Sequence, residues 1–341
     1  MKPPQLPRHV PMTATLRGGH PENVHHGSIA VVGADGRLLA WAGDVDTPVF
    51  TRSALKPLQA IPLVHKCADL HRLDDGDIAL LCASHSGEPR HTEGVRSLLA
   101  RIGADESALA CGVHVPYFYA ATGQTPPGEG RYSRLQHNCS GKHSGMLLLA
   151  HALHQPLDDY LRPNSPVQEA IALSVGHFCG VAREALVLGI DGCSAPNYAI
   201  PLRSLALAFA RLSLEQTDPV YGATPHRVAR AMSRHPELVS GEGRNDLALM
   251  RAGRGDWFTK VGADGVQALG SFSRGVGVAA KCSDGQLVPL MVALVAALDQ
   301  LGWTDEESRT VLASLLPPPM RNVAGLEVGK MRSVWHLTVE A

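Results

Sequence analysis

A serine three residues before a lysine, in Phe50-Thr-Arg-Ser53-Ala-Leu-Lys56-Pro-Leu-Gln59, is the feature of this chain with the most chemical content. The segment stands where a strand-like run gives way to a helix-like one. Positions three apart on a helix are surface neighbours, with Cβ atoms about 5–6 Å apart. A lysine one turn along therefore reaches the serine hydroxyl, and a lysine that loses its proton on burial serves as the base that activates it. The plainer alternative is a helix start capped by Ser53, with Lys56 in water.

Three further clusters follow along the chain. Ala83-Ser84-His85-Ser86-Gly87-Glu88 puts hydroxyls and an imidazole on a loop after an apolar run, a composition that also suits an ordinary polar turn. His137-Asn-Cys139-Ser-Gly-Lys142-His-Ser-Gly145 has the look of a phosphate loop. Gln136 stands where that pattern needs its first glycine, and His143 where Ser or Thr should follow the lysine, so nucleotide binding by this motif is excluded. Cys139 instead joins Asp191-Gly-Cys193 downstream, since two soft thiolates with nitrogen ligands are what zinc takes; the alternative is two free, buried thiols. Phe258-Thr-Lys260-Val-Gly262 places a lysine and a glycine on a strand, either facing a site or facing water.

Lysine is scarce, with seven against 24 arginines, and three of the seven (Lys56, Lys142 and Lys260) fall inside these clusters. Arginine cannot act as a base, so a chain that takes its surface charge from arginine leaves its lysines for chemistry.

The elements that must position these residues are of mixed type. Ser28–Gly43 reads as two strands around an Ala-Asp-Gly turn. Asp77–Ala83 reads as a strand or buried segment, and Glu93–Ile102 as a helix. Between about 142 and 255 the pattern is helical, over Lys142–Ala152, Ser165–Phe178, Ile200–Leu214, Thr224–Arg234 and Arg244–Arg251. From Trp257 it becomes an antiparallel meander of short strands with glycine turns, followed by helices Leu287–Leu301 and Glu306–Leu315 and a strand over Val334–Val339. The expected class is α+β: one domain over 1–341, with an antiparallel sheet built from both chain ends (about 1–138 plus 257–341) and a helical lobe (about 139–256). Ligands favour the cleft between such lobes.

Ser-x-x-Lys, then a serine-bearing loop, then Lys-x-Gly on a late strand is the order of active-site elements in serine β-lactamases and glutaminases. Four blocks, Phe50–Ala60, Cys82–Glu88, His137–Met146 and Gly189–Asn197, together resemble the L-asparaginase II family, the class 3 or rhizobial-type asparaginases. The resemblance implies a β-lactamase/glutaminase-like fold and hydrolysis of L-asparagine. It implies two Ser–Lys tandems, Ser53 with Lys56 and Ser84 with Lys260, and a zinc ion on Cys139, Lys142 and Cys193. Arg52, His85 and Asp191 would be substrate contacts, and the protein a homodimer. Ser84-His85-Ser86 departs from the Ser-Asp-Asn pattern of β-lactamases, which speaks against β-lactam turnover. Two alternatives stay open from the residues alone: a glutaminase or penicillin-binding-type amidohydrolase, and a non-catalytic amino-acid or zinc-binding protein.

The bulk properties narrow the partners. The 341 residues are 45% apolar and 18% charged, with a net charge of −1, an ordinary globular composition without the basic excess of a nucleic-acid or anionic-membrane binder. No run is long and apolar enough for a membrane span. Seven widely spaced cysteines and an N-terminus without an apolar stretch give the expectation of a reduced, cytoplasmic protein.

Overall fold

The computed structural model describes residues 6–128 and 132–340. Nine antiparallel strands make its main sheet among the described residues. Near the start of the chain they are β1 (Val10–Arg17), β2 (His20–Gly33) and β3 (Leu38–Ala42). A small separate sheet then takes β4 (Pro48–Phe50), β5 (Val187–Ile190) and β6 (Pro196–Pro201) in the order β4-β6-β5. The main sheet resumes with β7 (Trp257–Gly262), β8 (Val266–Ser271), β9 (Val276–Cys282), β10 (Met320–Arg321), β11 (Glu327–Ser333) and β12 (Thr338–Val339). Its order is β10-β11-β1-β2-β9-β8-β7, with β3 also on β2 and β12 on β3. Both chain ends thus build one sheet, as the pattern of strands predicts, and the Ala34-Asp35-Gly36 turn closes the expected β2–β3 hairpin.

The helices are α1 (Lys56–Cys67), α2 (Asp75–Leu81), α3 (Pro89–Ala100), α4 (Tyr117–Thr122), α5 (Ser140–Ala152), α6 (Pro166–Cys179), α7 (Leu202–Ser213), α8 (Thr224–Arg234), α9 (Pro236–Val239), α10 (Asn245–Ala252), α11 (Leu287–Gln300) and α12 (Glu306–Leu312). The period-two geometry of a strand sends neighbours to opposite faces, and β2 obeys it. Ile29 and Val31 join the core under α11, while Ala30 and Val32 join the larger core with α1 and α7. The backbone of α7 lies so close to β9 that a Cβ at Gly277 would sit 1.9 Å from the Ala206 carbonyl oxygen, so only glycine permits that packing.

Two expectations need correction. Asp77–Ala83 is not a strand, because Asp74 and Asp77 form a capping box that starts α2. The final strand signal at Val334–Val339 yields only β12, and the longer C-terminal strand is β11, just before it. Helices α1, α2 and α3 pack on α5, α6 and α8, because α1 is apolar on nearly every side and needs helices all round it. All seven cysteines are free and buried.

Candidate active site

Ser53 sits on a single 3-10 turn, Arg52–Leu55, that runs straight into α1. The turn is entered through Arg52 at φ +50°, a left-handed conformation that costs a non-glycine residue on the order of 1 kcal/mol. Its surroundings hold it there. The Arg52 N–H donates to Asn197 Oδ1 and Asn197 Nδ2 donates back to the Arg52 carbonyl, both at 3.0 Å. From the other side β7 presses against the turn. A Cβ on Gly262 would lie 2.5 Å from the Thr51 carbonyl oxygen, which is the physical need for glycine two residues after Lys260.

Lys56 opens α1 and is 1% exposed. Its Nζ donates to the Ala83 carbonyl and, at 2.9 Å, to Ser84 Oγ. The short helix α2 delivers Ser84 to that point, and the Ser84 N–H is fixed on the Val239 carbonyl at 2.9 Å. Ser53, half-buried, makes no side-chain hydrogen bond among the described residues, whereas Ser84 is 3% exposed. Both serines line one cleft of about 420 Å³, together with Tyr117, Asn138, Arg244 and Val261.

Lys260 lies behind this cleft and has a different partner from the expected one. Its ammonium meets Asp246 Oδ2 and the Val261 carbonyl, each at 3.0 Å, so Ser84 is paired with Lys56 rather than with Lys260. Asp246 is held in turn by the Val261 N–H at 3.1 Å and the Gln267 amide at 2.8 Å. Burial lowers the Lys260 pKa from 10.5 to about 8; Asp246 opposes that shift and the nearby Lys56 charge adds to it. The unfolded chain keeps this proton to about pH 10.5, so between the two values the unfolded state binds more protons and stability rises with pH. Below about 8 the desolvation cost is present in full. Urea unfolding at about pH 7 and about pH 10 should show this rise in the wild type and a flatter profile in Lys260→Met. Lys260→Met should also be less stable by on the order of 3 kcal/mol, since it strands the buried Asp246. An unchanged slope in the variant would mean another group sets the alkaline profile.

The residues of the expected zinc group come from two separate blocks. Cys139 immediately precedes α5, Lys142 lies in its first turn, and Cys193 sits in the tight loop between β5 and β6. Lys142 Nζ is 3.0 Å from Cys193 Sγ, and all three residues are buried. A hydrogen bond from the Cys139 thiol, outweighing the opposing effect of burial, and the Lys142 ammonium draw the Cys193 pKa far down. The neighbouring Cys193, together with burial, drives that of Cys139 up. His143 faces the group with Nε2 buried and unpartnered among the described residues, while Nδ1 contacts the Tyr160 hydroxyl at 2.7 Å. Two thiols, a lysine nitrogen and a histidine lie near one another here, residue types that zinc takes, although among the described residues only His25, Cys282 and Asp284 bring three His, Cys or acidic ligand atoms within 4.8 Å of one another.

The predicted substrate contacts separate. Arg52 and Asp191 are joined at 2.8 Å, and Arg52 also meets Asp264, so its guanidinium is already balanced by two carboxylates of the protein. His85 is turned away from the cleft. It is fully buried, its Nδ1 accepts from the Gly87 N–H at 3.1 Å, and its Nε2 is 2.9 Å from Ser140 Oγ. Burial keeps its pKa well below the usual histidine value, so it acts as a neutral brace between the Ser84 loop and α5. Arg244, Asp246, Tyr117 and Asp264 are the site residues absent from the sequence reading. The polar run Gly241-Glu-Gly-Arg-Asn-Asp246 ahead of α10 is the signal that points to two of them.

Residues 13–333 match the family model described as L-asparaginase II. No curated protein matches the chain. Among solved structures it is similar to a β-lactamase (Mb2281c) from Mycobacterium bovis, at 15% identity and a TM-score of 0.42, over 85% of this chain and 95% of that one. A putative β-lactamase from Bacteroides dorei gives 16% identity and a TM-score of 0.41, over 80% and 93%. The native form of Mglu in 4.3 M NaCl gives 18% and 0.36, over 83% of this chain and 61% of that one.

Proposed function

The chain belongs to the L-asparaginase II family, and from that premise we propose that it hydrolyses the side-chain amide of L-asparagine to L-aspartate and ammonia. The observation that carries the reading is the pair of serines in one cleft, with Lys56, three residues after Ser53, bonded to Ser84. A catalytic lysine takes protons through its neutral amine. Ser53, the more open hydroxyl and the one without a protein partner, attacks the amide carbon, and its proton passes to Lys56. The tetrahedral adduct collapses as the amide nitrogen leaves as ammonia, taking a proton from Ser84, which Lys56 replenishes across 2.9 Å. Water then attacks the aspartyl ester, gives its proton to the same relay and releases aspartate with the Ser53 hydroxyl restored. Lys260 and Asp246 act behind this relay as a buried charge pair that ties β7 to α10.

Cys139, Lys142 and Cys193 would hold zinc, with His143 beside them. A bound zinc ion would supply a fixed positive charge next to the cleft and keep the Lys142 amine neutral. Arg52 and Asp191, joined by their ion pair, brace the loop that carries Cys193 against the Ser53 turn.

Ammonia release from L-asparagine, with L-glutamine alongside, tests the reaction. Release from L-asparagine supports the proposal, release from L-glutamine alone replaces the substrate, and release from neither overturns it. Elemental analysis tests the metal. About one zinc per chain is expected, falling below a tenth of that in Cys193→Ala, because loss of one of three protein ligands removes most structural zinc affinity. A metal-free protein after dialysis against zinc would remove zinc from the account.

A further inference from the structure

The geometry points to Arg244 as the residue that binds the α-carboxylate of the substrate, an inference that deepens the asparagine reading and rests on it. Arg244 precedes α10 and lines the cleft shared by Ser53 and Ser84. Its Nη1 is buried and has no hydrogen-bond partner among the described residues. A buried donor on a charged group is costly to leave unpaired, so a site that keeps one is built to be completed by an anion. The Tyr117 ring, which also lines the cleft, lies with its centre 4.6 Å from the guanidinium carbon. That cation–π contact covers one face of the guanidinium and fixes its plane, leaving the N–H edges to grip a ligand.

Arg52 is the contrasting case. It carries the more prominent motif position, but Asp191 and Asp264 already occupy its guanidinium. A third carboxylate approaching Arg52 would meet net negative charge, whereas one approaching Arg244 meets a desolvated cation. The two nearest acids in sequence are committed elsewhere, Glu242 to Arg251 and Asp246 to Lys260, Val261 and Gln267. The planar fork of an arginine matches a carboxylate in two parallel hydrogen bonds. In asparagine two carbon atoms separate the carboxylate from the amide carbon, a span that fits within one cleft holding both Arg244 and the serines. The ligand class follows: a small amide with a free carboxylate, and not an amide whose carboxylate is tied up in a peptide bond.

The test compares L-asparagine with 3-aminopropanamide, which is asparagine with hydrogen in place of the α-carboxylate. Arg244→Gln is expected to lower kcat/KM for L-asparagine by about 100-fold, chiefly through KM, and to change that for 3-aminopropanamide by less than about threefold. Arg244→Lys, which keeps the buried charge without the fork, should raise the KM for L-asparagine by about tenfold with kcat retained, and it carries the comparison if Arg244→Gln does not fold. Equal losses on both substrates, or no loss on L-asparagine, would overturn the assignment and leave the asparagine reading intact. If the wild type releases no ammonia from L-asparagine, it is the asparagine reading that fails. Calorimetric titration with L-aspartate then decides the anchor: binding that weakens about 100-fold in Arg244→Gln supports it, and equal binding, or none to the wild type, removes it.

Discussion

Replacing Lys56 by methionine is expected to lower kcat for asparagine hydrolysis by about a thousandfold or more while leaving the fold intact. Among the described residues Lys56 is the one amine hydrogen-bonded to a cleft serine. It lies one turn from Ser53 and 2.9 Å from Ser84 Oγ, and in the proposed cycle it handles the proton at both the acylation and deacylation steps. Positioned acid–base groups contribute about 10² to 10⁴ in rate each, and a group used in both halves of a cycle belongs at the upper part of that range. Methionine fills much the same unbranched space in a site that is 1% exposed, so packing loss stays small. Lys56→Arg should be no better, since a guanidinium keeps its proton. The exposed Lys330 of β11, changed to methionine, is the control and should keep wild-type rates. A variant with near-normal kcat would take Lys56 out of the mechanism and leave its hydrogen bond to Ser84 a structural one.

The mixture of elements was readable because its signals are local. The Ala-Asp-Gly turn flanked by apolar strands, the glycine-spaced meander after Trp257 and the helical periodicities of α5 to α8 each depend on a few adjacent residues. Asp77–Ala83 misleads for a reason of the same kind: a short apolar run suits a buried helix as well as a strand, and here the Asp74–Asp77 cap decides. In the site, residue types were legible and pairings were not. Ser53 and Ser84 line one cleft with Lys56 bonded to Ser84, and Lys142 meets Cys193 from a distant block. The partner of Lys260, however, depends on α10 bringing Asp246 to β7, a tertiary contact that no local spacing encodes. Arg52 shows the same limit. An arginine beside a serine reads as a carboxylate binder, and only the folded chain reveals that Asp191 and Asp264 reach it first. His85 carries the chemistry of a contact residue, but the turn through Gly87 at φ +79° folds its ring inward onto Ser140.

The two serines should separate in kind as well as in degree. Ser53→Ala is expected to lower kcat by about 10⁴-fold and to abolish any covalent adduct when the enzyme is quenched with L-asparagine and weighed by mass spectrometry. Ser84→Ala should lower kcat by about 10² to 10³-fold and still show the aspartyl adduct on Ser53, because it loses the proton relay to the leaving nitrogen rather than the nucleophile. The double variant should be no slower than Ser53→Ala, since groups that act as one unit lose their joint effect with the first deletion. The assignment rests on an asymmetry in the cleft. Ser84 is almost fully buried and committed to Lys56, while Ser53 faces the space the substrate must enter and has no protein partner among the described residues. Lys56 reaches Ser84 directly and Ser53 across one helical turn, so the hydrogen bond alone favours Ser84 as the activated hydroxyl, and exposure alone favours Ser53. Catalytic hydrogen bonds often tighten only once substrate is bound, which is why exposure is given the greater weight. An adduct that survives in Ser53→Ala and vanishes in Ser84→Ala would reverse the roles, making Ser84 the nucleophile and Ser53 the hydroxyl that protonates the departing ammonia.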